Sequence, residues 1–168
     1  SPDDALLDLC CGKGRHLVTL APLARWAVGL DYSPDLLALA KDVSADARLV
    51  RADMRAIPFH AAFDVVVNFF TSFGYFGTRE ENLRVVRGVA GALKAGGRFF
   101  IDYLNAAHVR ETLVPESVRQ TGEYEIRDVR WIDEEQGRIN KTTSVFRQGA
   151  LIQETGESVR LYELDEFC

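Results

Sequence analysis

The chain has 168 residues, of which 47% are hydrophobic and 27% are charged, a composition typical of one globular domain. Its formal net charge of −5 argues against a general binder of nucleic acid or of anionic membranes, because such a protein needs a basic surface. No apolar stretch is long enough to span a bilayer and no signal peptide opens the sequence, so we expect no membrane association.

The cysteines form neither a disulfide framework nor a zinc-ligand spacing; they are Cys10, Cys11 and Cys168. We therefore expect a cytoplasmic protein without a metal site. The sequence begins Ser-Pro-Asp-Asp, enters a strand pattern almost at once, and has Met54 as its only methionine. We expect an excerpt of a longer protein.

Strand and helix patterns alternate over residues 1–105. Buried parallel strands are predicted from continuous apolar runs at Ala5–Cys10, Trp26–Leu30, Arg48–Ala52, Phe63–Phe69 and Arg98–Tyr103. Helices are predicted at Arg15–Leu23, after the N-cap Ser33, and at Thr78–Leu93. The third begins with a capping box of Thr78 and Glu81. This alternation predicts an α/β fold, a doubly wound parallel sheet of the Rossmann-like type.

The expected buried faces of two helices follow from helical spacing. They are Leu36, Leu37, Leu39 and Ala40 in the second helix, and Leu83, Val86, Val89, Ala90 and Leu93 in the third. These faces are expected to pack on the sheet.

After Asn105 the alternation of strand and helix patterns gives way to mainly strand-like sequence. A short helix is predicted at Ala106–Leu113, and a small antiparallel β-meander of about three strands at Glu123–Asp133, Arg138–Arg147 and Leu151–Leu161. Residues 162–168 have the pattern of a helix that starts at the end of the chain. We therefore divide the sequence into a core (1–105), an antiparallel insertion (106–161) that we expect to cover the ligand edge of the core, and the start of a returning helix (162–168).

Ligands of open α/β sheets bind at the carboxyl ends of the strands, and several polar residues fall there. The first strand ends in a turn containing Gly12 and Gly14, which alone is also compatible with a plain tight turn. Asp31 follows about 20 residues later, at the position of an acid that binds a ribose diol; the plainer alternative is an exposed acid before an N-cap. Asp53 and Met54 are candidates to receive an adenine. The plainer alternative is that Asp53 is an acid in a loop and Met54 a methionine of the core.

The residue at position 17 argues against a dinucleotide. The dinucleotide fingerprint has glycine or alanine there, because the helix must approach the strand closely beside the pyrophosphate. This chain has Leu17, so the turn fits a smaller zwitterionic group. A nicotinamide-dependent oxidoreductase is accordingly a less favoured alternative.

Five segments together resemble the motifs of class I S-adenosylmethionine-dependent methyltransferases. They occur in family order and spacing at Leu6–His16, Gly29–Pro34, Arg51–Met54, Phe63–Asn68 and Leu93–Asp102. One departure is Cys10, where the family usually has glycine. The segments Thr71–Phe76, Trp131–Ile139 and Val159–Glu166 also resemble a bacterial and archaeal small-molecule subgroup with an antiparallel insertion after strand five. The resemblance implies the strand order 3-2-1-4-5-7-6, of which this excerpt lacks the last hairpin.

The resemblance also implies roles for ten residues and S-adenosylmethionine as cofactor. Cys10, Gly12 and Gly14 approach its methionine part, Asp8 helps to hold its ammonium, Asp31 binds the ribose, Tyr32 lies beside the adenine, Asp53 and Met54 take the adenine, and Asn68 and Phe69 face the methyl group and its acceptor.

The acceptor class is narrowed by what the sequence lacks. The segment Asn68–Thr71 has neither proline of the amino-base DNA methyltransferase motif, and no Pro-Cys pair offers the nucleophile of a cytosine C5 enzyme. A small molecule remains, and relatives in the subgroup make an amino sugar possible. Arg130 and Trp131 are candidates to face it, or else a surface charge and a core aromatic.

No single general base stands out in the sequence. The weak candidates for that role are His16, Tyr75, Tyr103 and His108. The expected reaction is direct in-line methyl transfer, and the alternative is a nucleoside-binding domain without catalysis. The sequence leaves the oligomeric state and the acceptor atom open.

Overall fold

A five-stranded parallel sheet forms the centre of the first half of the chain. The computed structural model describes Ser1–Val43 and Ala47–Phe167. The strands are β1 (Ala5–Leu9), β2 (Trp26–Asp31), β3 (Ala47–Arg51), β4 (Phe63–Asn68) and β5 (Leu93–Ile101). Their order is β3-β2-β1-β4-β5 and all neighbours are parallel. This confirms the predicted α/β fold and places the reversal of strand order between β1 and β4, where such sheets bind ligands.

In the described ranges, the α-helices between these strands are α1 (Leu17–Leu20), α2 (Pro34–Val43) and α3 (Arg79–Ala92). The helix predicted at Arg15–Leu23 is wrong in its bounds, because only one α-helical turn forms before a 3₁₀ turn at Ala21–Leu23. Pro22 accounts for the change, since it has no N–H to donate and its ring clashes with the carbonyl four residues earlier in an α-helix.

The capping box of α3 is confirmed, but its predicted buried face is shifted. The Thr78 Oγ1 accepts from the Glu81 N–H and the Glu81 carboxylate accepts from the Thr78 N–H. The buried residues of α3 are Asn82, Val85, Val89 and Ala92. Asn82 is tolerated in this face because its amide donates to the Thr78 carbonyl at 3.0 Å.

The buried face of α2 is also narrower than expected. Ala40 is buried and Leu37 packs partly on the core, whereas Leu36 and Leu39 are exposed. Both faces of β1 are covered, since all five of its residues are buried. One core cluster joins the sheet to α1 and to Cys11 of the turn after β1; it comprises Leu6, Cys11, Leu17, Ala21, Ala27, Val65 and Val67.

The second half of the chain forms a four-stranded antiparallel sheet. After α4 (Ala106–Thr112) come β6 (Glu116–Thr121), β7 (Tyr124–Asp133), β8 (Arg138–Arg147) and β9 (Ala150–Arg160), paired in the order β6-β7-β8-β9. The predicted meander was one strand short. It missed β6, an exposed edge strand whose polar sequence lacks the alternation of a half-buried strand.

The chain divides into two compact units. The first comprises Ser1–Phe73 and Gly77–Tyr103, and the second comprises Gly74–Phe76 and the chain from Leu104 onward. In the predicted helix start at 162–168, Leu164–Phe167 form a 3₁₀ turn and Cys168 lies outside the described residues. No helix in the described ranges is long and apolar enough to cross a membrane.

Candidate functional site in the first unit

The turn after β1 has left-handed backbone conformations at three positions. Cys10, Gly12 and Gly14 all have positive φ angles, of 63°, 55° and 81°. The turn is closed by the Gly14 N–H, which donates to the Cys11 carbonyl at 3.0 Å, and it is tied to β2 by the Cys11 N–H, which donates to the Leu30 carbonyl. Space around Gly12 is open, because a Cβ built there meets no atom of the described chain within 4 Å.

The large Leu17 fits beside this turn because β2 has a glycine opposite it. A Cβ on Gly29 would lie 2.6 Å from Leu17 Cδ2 and 2.8 Å from Cys11 Sγ, which is too close for real atoms. The close approach of helix and strand thus comes from Gly29. In the dinucleotide fingerprint, a small residue at the position of Leu17 serves this purpose.

Asp31 joins the end of β2 to the glycine turn. Its Oδ2 accepts from the Gly12 N–H at 2.8 Å and its Oδ1 accepts from the Ser33 N–H at 2.9 Å. The residue is 8% exposed, so it is not the exposed acid of the plainer interpretation. Each carboxylate oxygen has a second lone pair, so Asp31 can still accept hydroxyl donors from a ligand.

Two buried side-chain oxygens near the ends of β1 and β4 have no donor among the residues that the structure describes. Asp8 is 2% exposed and Asn68 is 1% exposed, and Asp8 Oδ2 and Asn68 Oδ1 make no hydrogen bond within the described chain. Asn68 is oriented by its own amide, which donates to the Leu9 carbonyl at 2.8 Å. Burial, and then the neighbouring Asp31, raises the pKa of Asp8 to about 7. A buried acceptor that lacks a protein donor is costly, so each of these two oxygens is a candidate acceptor for a donor group of a ligand.

The two cysteines of the turn are protonated thiols at neutral pH. Burial, together with Asp8 and Asp31, raises the pKa of each to about 12. Neither is poised as a nucleophile, because the reactive species is the thiolate. The Cys10 Sγ lies 3.4 Å from the Met54 Sδ, which brings the segment after β3 to the turn.

Asp53 is already engaged by a residue that the sequence analysis missed. Its carboxylate accepts from the backbone N–H of Arg55 at 2.8 Å and from the Arg55 guanidinium at 2.6 Å, which holds its pKa below the usual range. Arg55 also bridges to Glu81 of α3. The structure thus gives Asp53 a capping and ion-pair role, and its contact with an adenine stays a prediction.

Aromatic rings lie after β2 and β4. Tyr32 is 68% exposed with the Arg51 guanidinium 5.9 Å from its ring centroid. Phe69 contacts the His16 ring at a centroid distance of 5.2 Å, and Arg15 lies 4.4 Å over the Phe70 ring. The contact with Phe69 places His16, a candidate base, at the end of β4.

The other candidate bases are divided between the units. Tyr103 lies in the first unit and contacts Phe73 at 6.2 Å between ring centroids. Tyr75 and His108 belong to the second unit. Arg130, also there, donates to Ser117 and to the buried Asp128, and Trp131 is 47% exposed, so it is not a core aromatic. Within the described ranges, no group of three or more His, Cys, Asp or Glu side chains is arranged to hold a metal.

The sequence similarity to known proteins lies mainly in the first half of the chain. A family model described as a methyltransferase domain matches residues 6–97. The dTDP-3-amino-3,4,6-trideoxy-α-D-glucopyranose N,N-dimethyltransferase of Streptomyces venezuelae is 38% identical over 93 residues, which are 55% of this chain and 39% of that protein. The cypemycin N-terminal methyltransferase of a Streptomyces species is 36% identical over 104 residues, 61% of this chain and 42% of that protein. The chain spans about two fifths of the length of these curated relatives.

Structural similarity to known proteins covers nearly the whole chain. The crystal structure of an S-adenosylmethionine-dependent methyltransferase from Clostridium acetobutylicum superposes with a TM-score of 0.84. The match covers 97% of this chain and 69% of that one at 19% sequence identity. At this identity the likeness concerns the fold, and it includes the antiparallel sheet.

Proposed function

The chain belongs to the methyltransferase domain family, and from this premise we propose that it binds S-adenosylmethionine and transfers the methyl group to an amino group of a small molecule. An amine acceptor is supported by the names of the two curated relatives, an N,N-dimethyltransferase of an amino sugar and an N-terminal methyltransferase of cypemycin. The net charge of −5 supports a small molecule over a nucleic acid. A cytoplasmic location is part of the proposal.

The observation that carries the proposal is that two buried side-chain oxygens, near the ends of β1 and β4, have no hydrogen-bond donor among the described residues. S-Adenosylmethionine has an ammonium group at its methionine end, and an ammonium has three N–H donors and a positive charge. Asp8 Oδ2 and Asn68 Oδ1 are buried acceptors that no group of the described chain donates to. The open space at Gly12 gives the ligand access to the backbone of the turn. The residues present therefore fit this cofactor.

Each remaining site residue has a place in the proposed complex. Asp31 accepts from the ribose hydroxyls while it continues to hold the turn. Met54, in contact with Cys10, packs on the adenine, and Tyr32 lies beside that ring. Asn68 and Phe69 at the end of β4 face the methyl group. Cys10 and Gly14 lie along the methionine part through their backbone, and Asp53 remains the candidate for the adenine amine.

The cofactor supplies a methyl group that is already activated by a positively charged sulfur. The protein then has to align the acceptor with the methyl group, keep water out and remove a proton from the acceptor. The buried environment of Cys10 and Cys11 has a further effect, since protonated thiols do not compete with the acceptor for the methyl group. The general base stays among His16, Tyr75, Tyr103 and His108.

Calorimetric titration of the full-length protein tests the cofactor assignment. We expect S-adenosylmethionine to bind and NAD not to bind. The Asp31→Asn variant should weaken binding at least about tenfold, because an amide offers one acceptor oxygen where the carboxylate offers two. Asp35→Asn, which changes an acid in the first turn of α2, is the matched control and should bind within about twofold of wild type.

Two outcomes of this titration would contradict the proposal. Binding of NAD alone would favour the nicotinamide-dependent alternative. Equal affinity of wild type and Asp31→Asn for S-adenosylmethionine would remove Asp31 from the ribose site. A separate methyl-transfer assay tests the remaining alternative, because tight binding of S-adenosylmethionine without methyl transfer to any amine would indicate a binding domain without catalysis.

A further inference from the structure

The turn after β4 has an uncommon backbone. Phe70 and Thr71 are consecutive non-glycine residues with positive φ angles of 61° and 53°. Such residues rarely adopt this conformation, and the β-branched side chain of Thr71 makes it less favourable still. Conformations of this kind persist only where surrounding contacts impose them, and they concentrate at functional sites.

The contacts that impose this conformation come from Asp102, the residue after β5. The Asp102 Oδ2 accepts from the Phe70 N–H at 3.1 Å, and the Asp102 carbonyl accepts from the Thr71 N–H at 3.1 Å. The Asp102 N–H donates to the Asn68 carbonyl at 2.9 Å. One residue therefore holds the backbone on both sides of Phe69.

The held segment begins at residues of the candidate site. Asn68 carries one of the two partnerless oxygens, and Phe69 packs against His16. The Ser72 hydroxyl donates to the Phe69 carbonyl at 3.1 Å and closes the turn from the other side. A change in the turn would thus move the end of β4, which the proposed function assigns to the methyl group and its acceptor.

We propose that Asp102 is a positioning residue for methyl transfer, which holds the Asn68–Thr71 turn in its left-handed conformation and thereby sets the acceptor side of the site. This inference rests on the proposed function. Within the described chain, the Asp102 side chain accepts one hydrogen bond, from the Phe70 N–H, so it needs an oxygen at this place and no negative charge. That requirement separates it from a general base, which needs an ionisable group.

Two substitutions separate these roles in the full-length protein. Asp102→Asn keeps an acceptor oxygen for the Phe70 N–H, and Asp102→Ala removes it. Asp42→Ala and Asp42→Asn change an exposed aspartate of α2 and are matched controls. Three quantities are measured for each: amide exchange of Phe70 and Thr71 by NMR, the Kd for S-adenosylmethionine, and kcat/KM for methyl transfer to dTDP-3-amino-3,4,6-trideoxy-α-D-glucopyranose and to a panel of other small amines.

We expect Asp102→Ala to accelerate exchange at Phe70 and Thr71 at least about tenfold and to lower kcat/KM for the acceptor at least about tenfold. Its Kd for S-adenosylmethionine should stay within about threefold of wild type. Asp102→Asn should restore the slow exchange and most of the activity, and both Asp42 variants should match wild type in all three measurements.

Three results would overturn the positioning role alone. They are wild-type activity in Asp102→Ala, loss of activity in Asp102→Asn with slow exchange retained, and a Kd for S-adenosylmethionine that worsens as much as kcat/KM falls. If the wild type binds S-adenosylmethionine but methylates none of the amines, the proposed function fails and this role fails with it.

Discussion

At the residue scale, the buried Asp8 should make the stability of the fold depend on pH, and this can be tested without any ligand. Its side chain is buried, and its pKa is raised to about 7 from 3.8, first by that burial and then by Asp31. The unfolded chain releases this proton near pH 4, whereas the folded chain keeps it until about pH 7. The free energy of unfolding contributed by Asp8 therefore falls as the pH rises through this window.

The Asp8→Asn variant should remove this dependence, because an amide does not titrate. Between pH 4 and pH 8 the wild type should lose about 4 kcal/mol of unfolding free energy relative to the variant. Urea denaturation of both proteins at several pH values measures the difference. The pH dependence contributed by acids with a lowered pKa, such as Asp53, is the same in both proteins and drops out of the comparison. Parallel pH profiles would show that Asp8 has an ordinary pKa.

The site residues differ in how far the sequence could predict them. Asp31 and the glycine turn were placed correctly at strand ends, because the alternation of strands and helices fixes which residues reach the ligand edge. Asp102 was passed over as a site residue, since its importance depends on the φ angles of a turn more than 30 residues earlier in the chain. Arg55 was missed because its ion pair with Asp53 depends on the 3₁₀ turn at Met54–Ala56, which the sequence did not predict, and its second partner Glu81 is distant in sequence.

At the scale of elements, one guanidinium fastens the Gly74–Phe76 segment to the antiparallel sheet within the second unit. Arg138 of β8 donates to the carbonyls of Phe76 at 3.1 Å and Tyr75 at 3.3 Å, and to the hydroxyl and carbonyl of Ser158 on β9, both at 2.8 Å. The Arg160 N–H adds a bond to the Gly74 carbonyl at 3.0 Å. Most of the hydrogen-bonding capacity of Arg138 is used in this way.

Arg138→Gln should cost about 2 kcal/mol of unfolding free energy, because the amide cannot replace the bonds of the guanidinium and carbonyl groups lose their donor. Arg147→Gln is the matched control on the same strand, since Arg147 forms an ion pair with Glu123 at the surface. That change should cost less than about 0.5 kcal/mol. Equal losses in urea denaturation of the two variants would contradict the role of Arg138.

The predictions of buried helix faces and of strands were wrong where the apolar residues did not define a single buried face. In α3 the apolar residues lie on two adjacent stripes of the helix surface. The buried stripe contains the polar Asn82, so it was not recognised as the buried face. In α2 the four leucine and alanine positions suggested a wide buried face, but packing on the sheet uses only Leu37 and Ala40. Strand β6 has no apolar alternation at all, and its assignment depends on pairing with β7.

At the scale of the whole molecule, topology was the most predictable feature. Parallel strands with helical crossovers restrict the sheet to few strand orders, and β3-β2-β1-β4-β5 is the order that the motifs implied. The identity of the acceptor is the least predictable, because the chain spans about two fifths of its curated relatives and because acceptor contacts depend on side chains from several elements. The site residues at the ends of β1, β2 and β4 lie together in the first unit.

The most direct test of the central claim is methyl transfer itself. The full-length protein is incubated with S-adenosylmethionine carrying a radiolabelled methyl group and with dTDP-3-amino-3,4,6-trideoxy-α-D-glucopyranose or other small amines, and the label in the separated acceptor is counted. We predict label on the nitrogen of at least one amine, and at least about tenfold less with Asp31→Asn when S-adenosylmethionine is below its Kd. Absence of label from every acceptor in the presence of the wild-type protein would contradict the account.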